Sequence, residues 1–278
     1  MSATNSHINS LRGATWLQAL IGAAAIRTDF PASIKVSDAQ LNGQSVRYIA
    51  VIPDAENAFV RARTGEVGLV EGWQLARAVQ EVIDADAADA ANSVKTPIIA
   101  IVDVASQAYG RREEAYGIHQ ALAAAAGAYA SARLAGHPVI ALIVGKAMSG
   151  AFLAHGYQAN RLIALDDAQV MVHAMGKESA ARITLRSVES LEALAETIPP
   201  MAYDIRNFAS LGLLWKSLQI ADPDQPDLAS VDLVKQTLHE ALESIRSETV
   251  HDLSGRLGAP HRAASARVRE LLAQQWNS

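Results

Sequence analysis

A six-residue apolar run, Val139 to Val144, stands between Pro138 and Gly145, and a mostly small-residue segment, Gly145 to Ala151, follows it. An uninterrupted run of branched apolar residues fits a strand buried on both faces. Gly145-Lys146-Ala147-Met148-Ser149 reads as a tight turn, and residues 150–157 read as a helix. This order of strand, turn and helix N-terminus aims free backbone N–H groups and the positive end of a helix dipole at one point. The chemistry is expected here, carried largely by main chain.

The rest of the chain supplies the frame. Pro97-Ile-Ile-Ala-Ile-Val102 is a second buried strand ending in Asp103; residues 104–112 read as loop and 113–136 as one long helix. Further strands are expected at 161–165 and 169–173. Strands separated by helices of this length imply parallel pairing through right-handed crossovers. Upstream, the periodicity predicts a helix at 11–26, then two strands, 33–41 and 45–52, around Asn42-Gly43. Residues 66–83 read as a helix whose apolar face includes Trp73, and the Ala/Asp-rich residues 84–94 as a link. After Gly176 helices are expected at 177–182, 188–196, 201–217, 228–249 and 260–275. Residues 1–10 read as disordered, and residues 11–278 as a single domain with a helical C-terminal region from about 185. The Ala-rich stretch 121–135 reads as a helix with close neighbours.

Composition removes several functions. The chain of 278 residues has no cysteine, which excludes disulfides, thiolate catalysis and Cys-ligated zinc. A net charge of −5, without a basic stripe interleaved with aromatics, argues against nucleic acid as a partner. The longest apolar runs are too short or too polar to cross a membrane, and Met1 to Ser10 lack the apolar core of a secretory signal. A cytoplasmic location is expected. The eight histidines show no HExxH pair, so no metal site is expected; His119 and His173, beside the first and third loops, are the two to check. Arg61-Ala-Arg63, Arg111-Arg112 and Arg262 to Arg269 read as solvated faces.

Three loops follow the apolar strands: 103–112, 145–150 and 173–177. Ligands in parallel-sheet proteins bind at such ends. The first two loops offer N–H pairs near Ala105-Ser106 and near Gly150-Ala151. The turn is neither a P-loop nor a dinucleotide fingerprint. Ala147-Met148-Ser149-Gly150-Ala151 is similar to a nucleophile elbow, with alanine where two glycines are usual. A serine hydrolase using Ser149 would need His155, His173 or His251 beside it. Otherwise Ser149 is a helix cap or, with Gln107, a side-chain hydrogen-bond donor. Lys146 either attracts an anion or is a solvated turn lysine.

Asp103-Val-Ala-Ser-Gln-Ala-Tyr-Gly-Arg-Arg, the Ala-rich helix, Gly145-Lys-Ala-Met-Ser-Gly-Ala-Phe152 and Val170-Met-Val-His-Ala-Met-Gly-Lys-Glu-Ser179 together resemble the C-terminal half of carboxyltransferases of the crotonase superfamily. The chain departs from their Asp-Thr-Pro-Gly pattern, with Val104-Ala105-Ser106 after the aspartate, and from their Gly-Gly-Ala turn, with Met148-Ser149 before Gly150-Ala151. Gln107, Tyr109, Gly110 and Met175-Gly176-Lys177-Glu178-Ser179 make it most similar to the family of malonate decarboxylase gamma subunits.

The resemblance implies a crotonase-like α/β spiral of strand-strand-helix units, arranged as two sheets surrounded by helices. It implies a hetero-oligomer with a beta subunit, as a beta-gamma pair or its dimer, and a site between the two. It further implies decarboxylation of a malonyl thioester on the phosphopantetheine arm of an acyl carrier protein, or on CoA, with no cofactor bound by this chain. Transfer of the carboxyl group to biotin and a non-catalytic partner role are the alternatives. Decarboxylation builds enolate charge on the thioester oxygen, which N–H donors stabilise. That oxygen is assigned mainly to the beta subunit. The carboxylate is assigned to Gly150 and Ala151 with Ala105 and Ser106, assisted by Ser149 and Gln107. Gly145, Lys146, Met148, Met175 and Gly176 are expected around the substrate. The apolar residues Leu191, Leu194, Phe208, Leu211, Leu213, Leu214, Trp215 and Leu218 either meet the partner or close this chain's own core.

Overall fold

Asn42 and Gly43 both take positive φ, 48° and 79°, which closes the chain into a two-residue hairpin turn. The computed structural model describes residues 10–89 and 94–276. The disorder expected of residues 1–10 falls, Ser10 apart, outside that range. The hairpin joins β1 (Ile34–Leu41) to β2 (Gln44–Val51). Then follow β3 (Ile98–Val104), β4 (Val139–Met148), β5 (Arg161–Leu165), β6 (Met171–His173) and β7 (Lys216–Leu218). They form one sheet in the order β1-β2-β3-β4-β5-β7, with β6 branching from β4. Among these seven strands the hairpin pair is antiparallel and the other pairs are parallel. The expected second sheet is thus present only as this branch.

The helices are α1 (Arg12–Ile21), α2 (Leu69–Ala88), α3 (Arg111–Ala115), α4 (Ile118–Leu134) and α5 (Ser149–Ala154). They continue as α6 (Lys177–Thr184), α7 (Val188–Ala195), α8 (Ile205–Ser210), α9 (Leu228–Arg246) and α10 (Ala263–Trp276). Every residue of β3 is buried, as fits a central strand that is apolar but for Asp103. One cluster of buried residues runs from Trp16 to Ile245. Phe208, Leu213 and Leu218 belong to it, and Leu211, Leu214 and Trp215 pack against it, so these residues close the chain's own core. The residues of α10 are all at least partly open, and Trp276 is 90% exposed.

Buried Ala121, Ala125, Ala128 and Ala132 run along one side of α4. A side chain at Gly72 of α2 would lie 2.7 Å from the Ala121 carbonyl, so the two helices approach almost backbone to backbone. This is the close packing that the alanine-rich stretch suggested.

Several boundaries differ from expectation. The single helix over 113–136 is broken by Gly117, whose φ of 81° no regular helix accommodates. The helix at 201–217 is replaced by a 3-10 turn, α8 and the short strand β7. α1 stops at Ile21, capped by Gly22, and leaves Ile26 outside it. α2 continues through much of the expected link to Ala88, while residues 90–93 lie outside the described range. Trp73 is 51% exposed and not on the core face.

The largest difference is at 145–150. No turn forms there, because β4 continues to Met148. Between the pairs Val102↔Ile143 and Val104↔Ala147, β3 advances by two residues and β4 by four, a bulge. Past it β4 pairs with β6 instead of β5. Among the described residues no helix is long and apolar enough to cross a membrane.

Candidate functional site

The first strand-end loop is held by the segment before α2. Val67 donates its amide to the Ser106 carbonyl at 3.0 Å and accepts the Ala108 amide at 2.9 Å, so Gln107 sits between two main-chain bonds. Glu71 secures that segment. Its fully buried carboxylate accepts the Gly68 amide at 3.0 Å and Ser33 Oγ and Asn57 Nδ2 at 2.7 Å each.

From this loop the Gln107 side chain crosses to the start of α5. Its Oε1 accepts the Gly150 amide at 2.5 Å and the Ser149 hydroxyl at 2.5 Å. A Cβ at Gly150 would stand 2.8 Å from that oxygen, so the approach needs glycine there. Ser149 has φ of 63°, a left-handed conformation costly for a residue with a Cβ. The strand must turn there within one residue to begin α5.

Beside this cluster lies a cleft of about 530 Å³ lined by Leu122, Phe152, Tyr157, Phe208, Leu211 and Leu213 among others. His173 and Ala174 border it too. His173 pairs with Met148 in the β4–β6 register. Its ring stacks on Tyr203 at 3.9 Å, and its Nδ1 lies 3.0 Å from the Met175 carbonyl. Burial pushes its pKa down, favouring neutral imidazole. On the other side of Gln107 a more open cleft of about 890 Å³ runs along Arg61, Ser106, Tyr109 and Arg111. Gln107 borders both clefts.

The structure therefore brings together Gln107, Ser149 and Gly150, and sets Ser106 beside them in the second cleft. Ser106 Oγ donates to the Gln107 carbonyl at 3.0 Å. Met148 and Ala151 are buried, and Ala105 is half-buried. Gly145 and Lys146 are turned into a third cleft with Arg12, Asp103 and Asp224, because the bulge rotates β4 there. Met175 packs against a small cluster of Ala180, Ala181 and Leu191, and Gly176 caps α6. α5 has only six residues, so its dipole is smaller than the expected helix implied.

Ser149 has elbow-like backbone, but its hydroxyl bonds Gln107 and no histidine among the described residues. His155 is fully buried, with Nδ1 3.0 Å from Tyr129 Oη and Nε2 3.0 Å from the Ile101 carbonyl. His251 engages Arg133 through its carbonyl, and His119 is exposed. Among the described residues no three His, Asp or Glu side chains group as a metal site. Sequence reasoning missed the cleft walls Leu122, Phe208, Leu211 and Leu213. They come from segments far apart in the chain, and their only signal was ordinary apolar periodicity.

The sequence model of the malonate decarboxylase gamma subunit family matches residues 62–276. A malonyl-S-ACP:biotin-protein carboxyltransferase of Malonomonas rubra is 38% identical over 179 residues, 64% of this chain and 61% of the relative. The match thus spans less than two thirds of that relative's length. A Pseudomonas malonate decarboxylase hetero-tetramer in complex with coenzyme A contains a chain that is 63% identical, with a TM-score of 0.90 over 95% of this chain and 99% of that one. The corresponding chain of a Pseudomonas MdcD-MdcE hetero-dimer is 60% identical, with a TM-score of 0.86 and the same coverage. Transcarboxylase 12S, at 19% identity and a TM-score of 0.63 over 87% of this chain and 41% of that one, shares the fold.

Proposed function

The chain belongs to the malonate decarboxylase gamma-subunit family, and from that premise we propose that it forms one wall of a site, completed by a beta subunit, where a malonyl thioester loses CO2. The observation that carries this reading is the convergence of Gln107, Ser149 and Gly150 at the edge of a largely apolar cleft. In the reaction the bond between Cα and the carboxyl carbon breaks. Its electrons move into the thioester as an enolate, CO2 leaves, and a proton on Cα gives the acetyl thioester. The apolar walls favour neutral CO2 over the carboxylate it comes from, and the polar cluster orients that carboxylate. The enolate oxygen is met mainly by donors of the beta subunit.

The assembly is a hetero-dimer or hetero-tetramer with the beta subunit, in accord with the Pseudomonas complexes. The thioester arrives on the phosphopantetheine arm of an acyl carrier protein or as a CoA-type thioester, and this chain contributes no cofactor of its own. A cysteine-free sequence accords with the cytoplasm. Ala105 and Ser106 flank Gln107 and support its loop. Met148, the last residue of β4, leads directly into Ser149, whereas Gly145 and Lys146 face the third cleft and Met175 and Gly176 sit at the start of α6, so the reading gives these four no contact with the cluster. The named activity of the Malonomonas relative supports a second reading, passage of the carboxyl group to biotin on a carrier protein.

The test is co-expression with a beta subunit and assay of malonyl thioester turnover. CO2 release by the complex, and none by the chain alone, is the expected result. Avidin-sensitive transfer without free CO2 selects the biotin reading. Full turnover by a complex carrying Gly150→Trp would reduce the chain to a non-catalytic partner.

A further inference from the structure

We propose that the side-chain NH2 of Gln107 is the donor that holds the substrate carboxylate in this half of the site, and that Ser149 and Gly150 are positioning residues that aim it. The proposal rests on the malonyl-thioester reading above and reverses the roles expected from sequence. There, the Gly150 amide was the donor and Gln107 an assistant.

Gln107 is fixed from both ends. Its main chain lies between the two bonds to Val67. Its Oε1 takes the Gly150 amide and the Ser149 hydroxyl, each at 2.5 Å. Two donors on one atom fix the orientation of the amide, since turning the nitrogen toward Gly150 would set donor against donor. The Nε2 then lies on the far side of a planar group whose oxygen is clamped. Among the described residues it donates to no protein acceptor. It belongs to a half-buried residue that borders both clefts.

A carboxylate seeking the Gly150 amide directly would have to displace Gln107. Even if the carboxylate took over both donors, Gln107 Oε1 would be left without the two bonds that hold it. The free N–H groups of Gln107 can be engaged with no such loss. Donors on its oxygen also polarise the amide, which strengthens the donors on its nitrogen. A neutral donor suits this reaction. Decarboxylation discharges the carboxylate, so a cation there would stabilise the starting state more than the transition state.

The experiment uses the beta-gamma complex. Malonyl thioester binding and turnover, with both malonyl-CoA and the malonylated carrier protein, are measured beside binding of the acetyl thioesters, which lack the carboxylate. Gln107→Glu keeps an acceptor for Gly150 and Ser149 at nearly the same size and deletes the donor. We expect a loss in malonyl thioester affinity of about 10- to 100-fold, with acetyl thioester affinity unchanged. Gln107→Ala is expected to show the same selective loss, and Ser149→Ala a smaller one, up to about 10-fold. Malonyl thioester affinity equal to or above wild type in either Gln107 variant, with acetyl binding intact, would overturn the proposal: in Gln107→Ala the freed Gly150 amide would then be the donor, and in Gln107→Glu the deleted NH2 would be dispensable. A wild-type complex that neither binds nor decarboxylates a malonyl thioester sinks the parent reading, and this proposal with it. Equal losses for acetyl and malonyl thioesters would show that Gln107 serves only structure.

Discussion

The Asp103 carboxylate fills the space that a side chain at Gly145 would need. Asp103 Oδ1 accepts the Lys146 amide at 3.1 Å, and Oδ2 accepts the Gly13 amide at 3.2 Å. A Cβ built on Gly145 overlaps this carboxylate. One residue of β3 thereby ties the bulge of β4 to the first turn of α1. The last residues of β4, and the Ser149-Gly150 pair beyond them, follow from where that bulge is held.

Gly145→Ala is expected to destabilise the chain by about 1–3 kcal/mol, because the methyl group must push the carboxylate off two amides or shift the bulge. Asp103→Asn should act similarly. Whichever way its amide lies, one backbone N–H meets an NH2 donor. Urea denaturation of both variants checks this. Wild-type midpoints would remove the bulge from the account of the site.

At Ser149 the prediction concerns the order of two variants. Ser149→Ala and Ser149→Gly both lose the hydroxyl bonded to Gln107. Only glycine relieves the positive φ. Ser149→Gly should therefore be the more stable by about 1 kcal/mol, relief of left-handed strain being partly offset by a freer unfolded chain. Thermal unfolding of the pair decides it, and an alanine variant that melts higher than the glycine variant contradicts the strain.

Where local pattern sets structure, the sequence was readable. Asn42-Gly43 specified the hairpin, and Ile98 to Val102 with Val139 to Val144 specified the central strands, because turn chemistry and unbroken apolar runs rich in β-branched residues act over a few residues. The loop of Gln107 was singled out through its resemblance to carboxyltransferases. The turn expected at 145–150 failed for a non-local reason. Its small residues look flexible, yet Asp103, distant in sequence, satisfies the Lys146 amide and lets the strand run on. Gly117 and the strand β7 were missed likewise, since neither a left-handed break nor a three-residue edge strand has a periodic signature. Gln107 was named, but its acceptor role depends on a contact across 43 residues that no spacing reveals.

Glu71 offers a prediction that couples stability to the site from a distance. Its carboxylate, fully buried, receives donors from Ser33, Asn57 and Gly68. Val67, adjacent to Gly68, carries the two bonds that hold the loop of Gln107. Glu71→Gln places an NH2 among three donors and should cost about 1–3 kcal/mol. It should also lower turnover of the beta-gamma complex through misplacement of Gln107, although Glu71 is fully buried and lines neither cleft beside Gln107. Malonyl thioester kinetics at a temperature where the variant stays folded test this, and unchanged turnover with lowered stability would confine Glu71 to folding.

His155 gives the pH dependence. Its ring is completely buried and its pKa falls from an ordinary 6.5 to about 4, because burial penalises the charged form. The neutral tautomer satisfies both nitrogens, with Nε2–H donating to the Ile101 carbonyl and Nδ1 accepting from Tyr129 Oη. In the unfolded chain the same histidine takes up a proton below about pH 6.5. The unfolded state therefore binds more protons between these values, and folding stability falls as pH drops from 6.5 toward 4. The contribution is fully present above pH 6.5, and its loss approaches roughly 3 kcal/mol near the lower limit. Carboxylates whose pKa values are held down, such as Asp204 and Asp224, add their losses at still lower pH. Urea titrations at pH 7, 6 and 5 should give falling stability for the wild type and a shallower slope for His155→Gln, which has no proton to gain. Parallel slopes for the two proteins would mean that His155 titrates normally in the folded state, and the assigned tautomer would fall with that result.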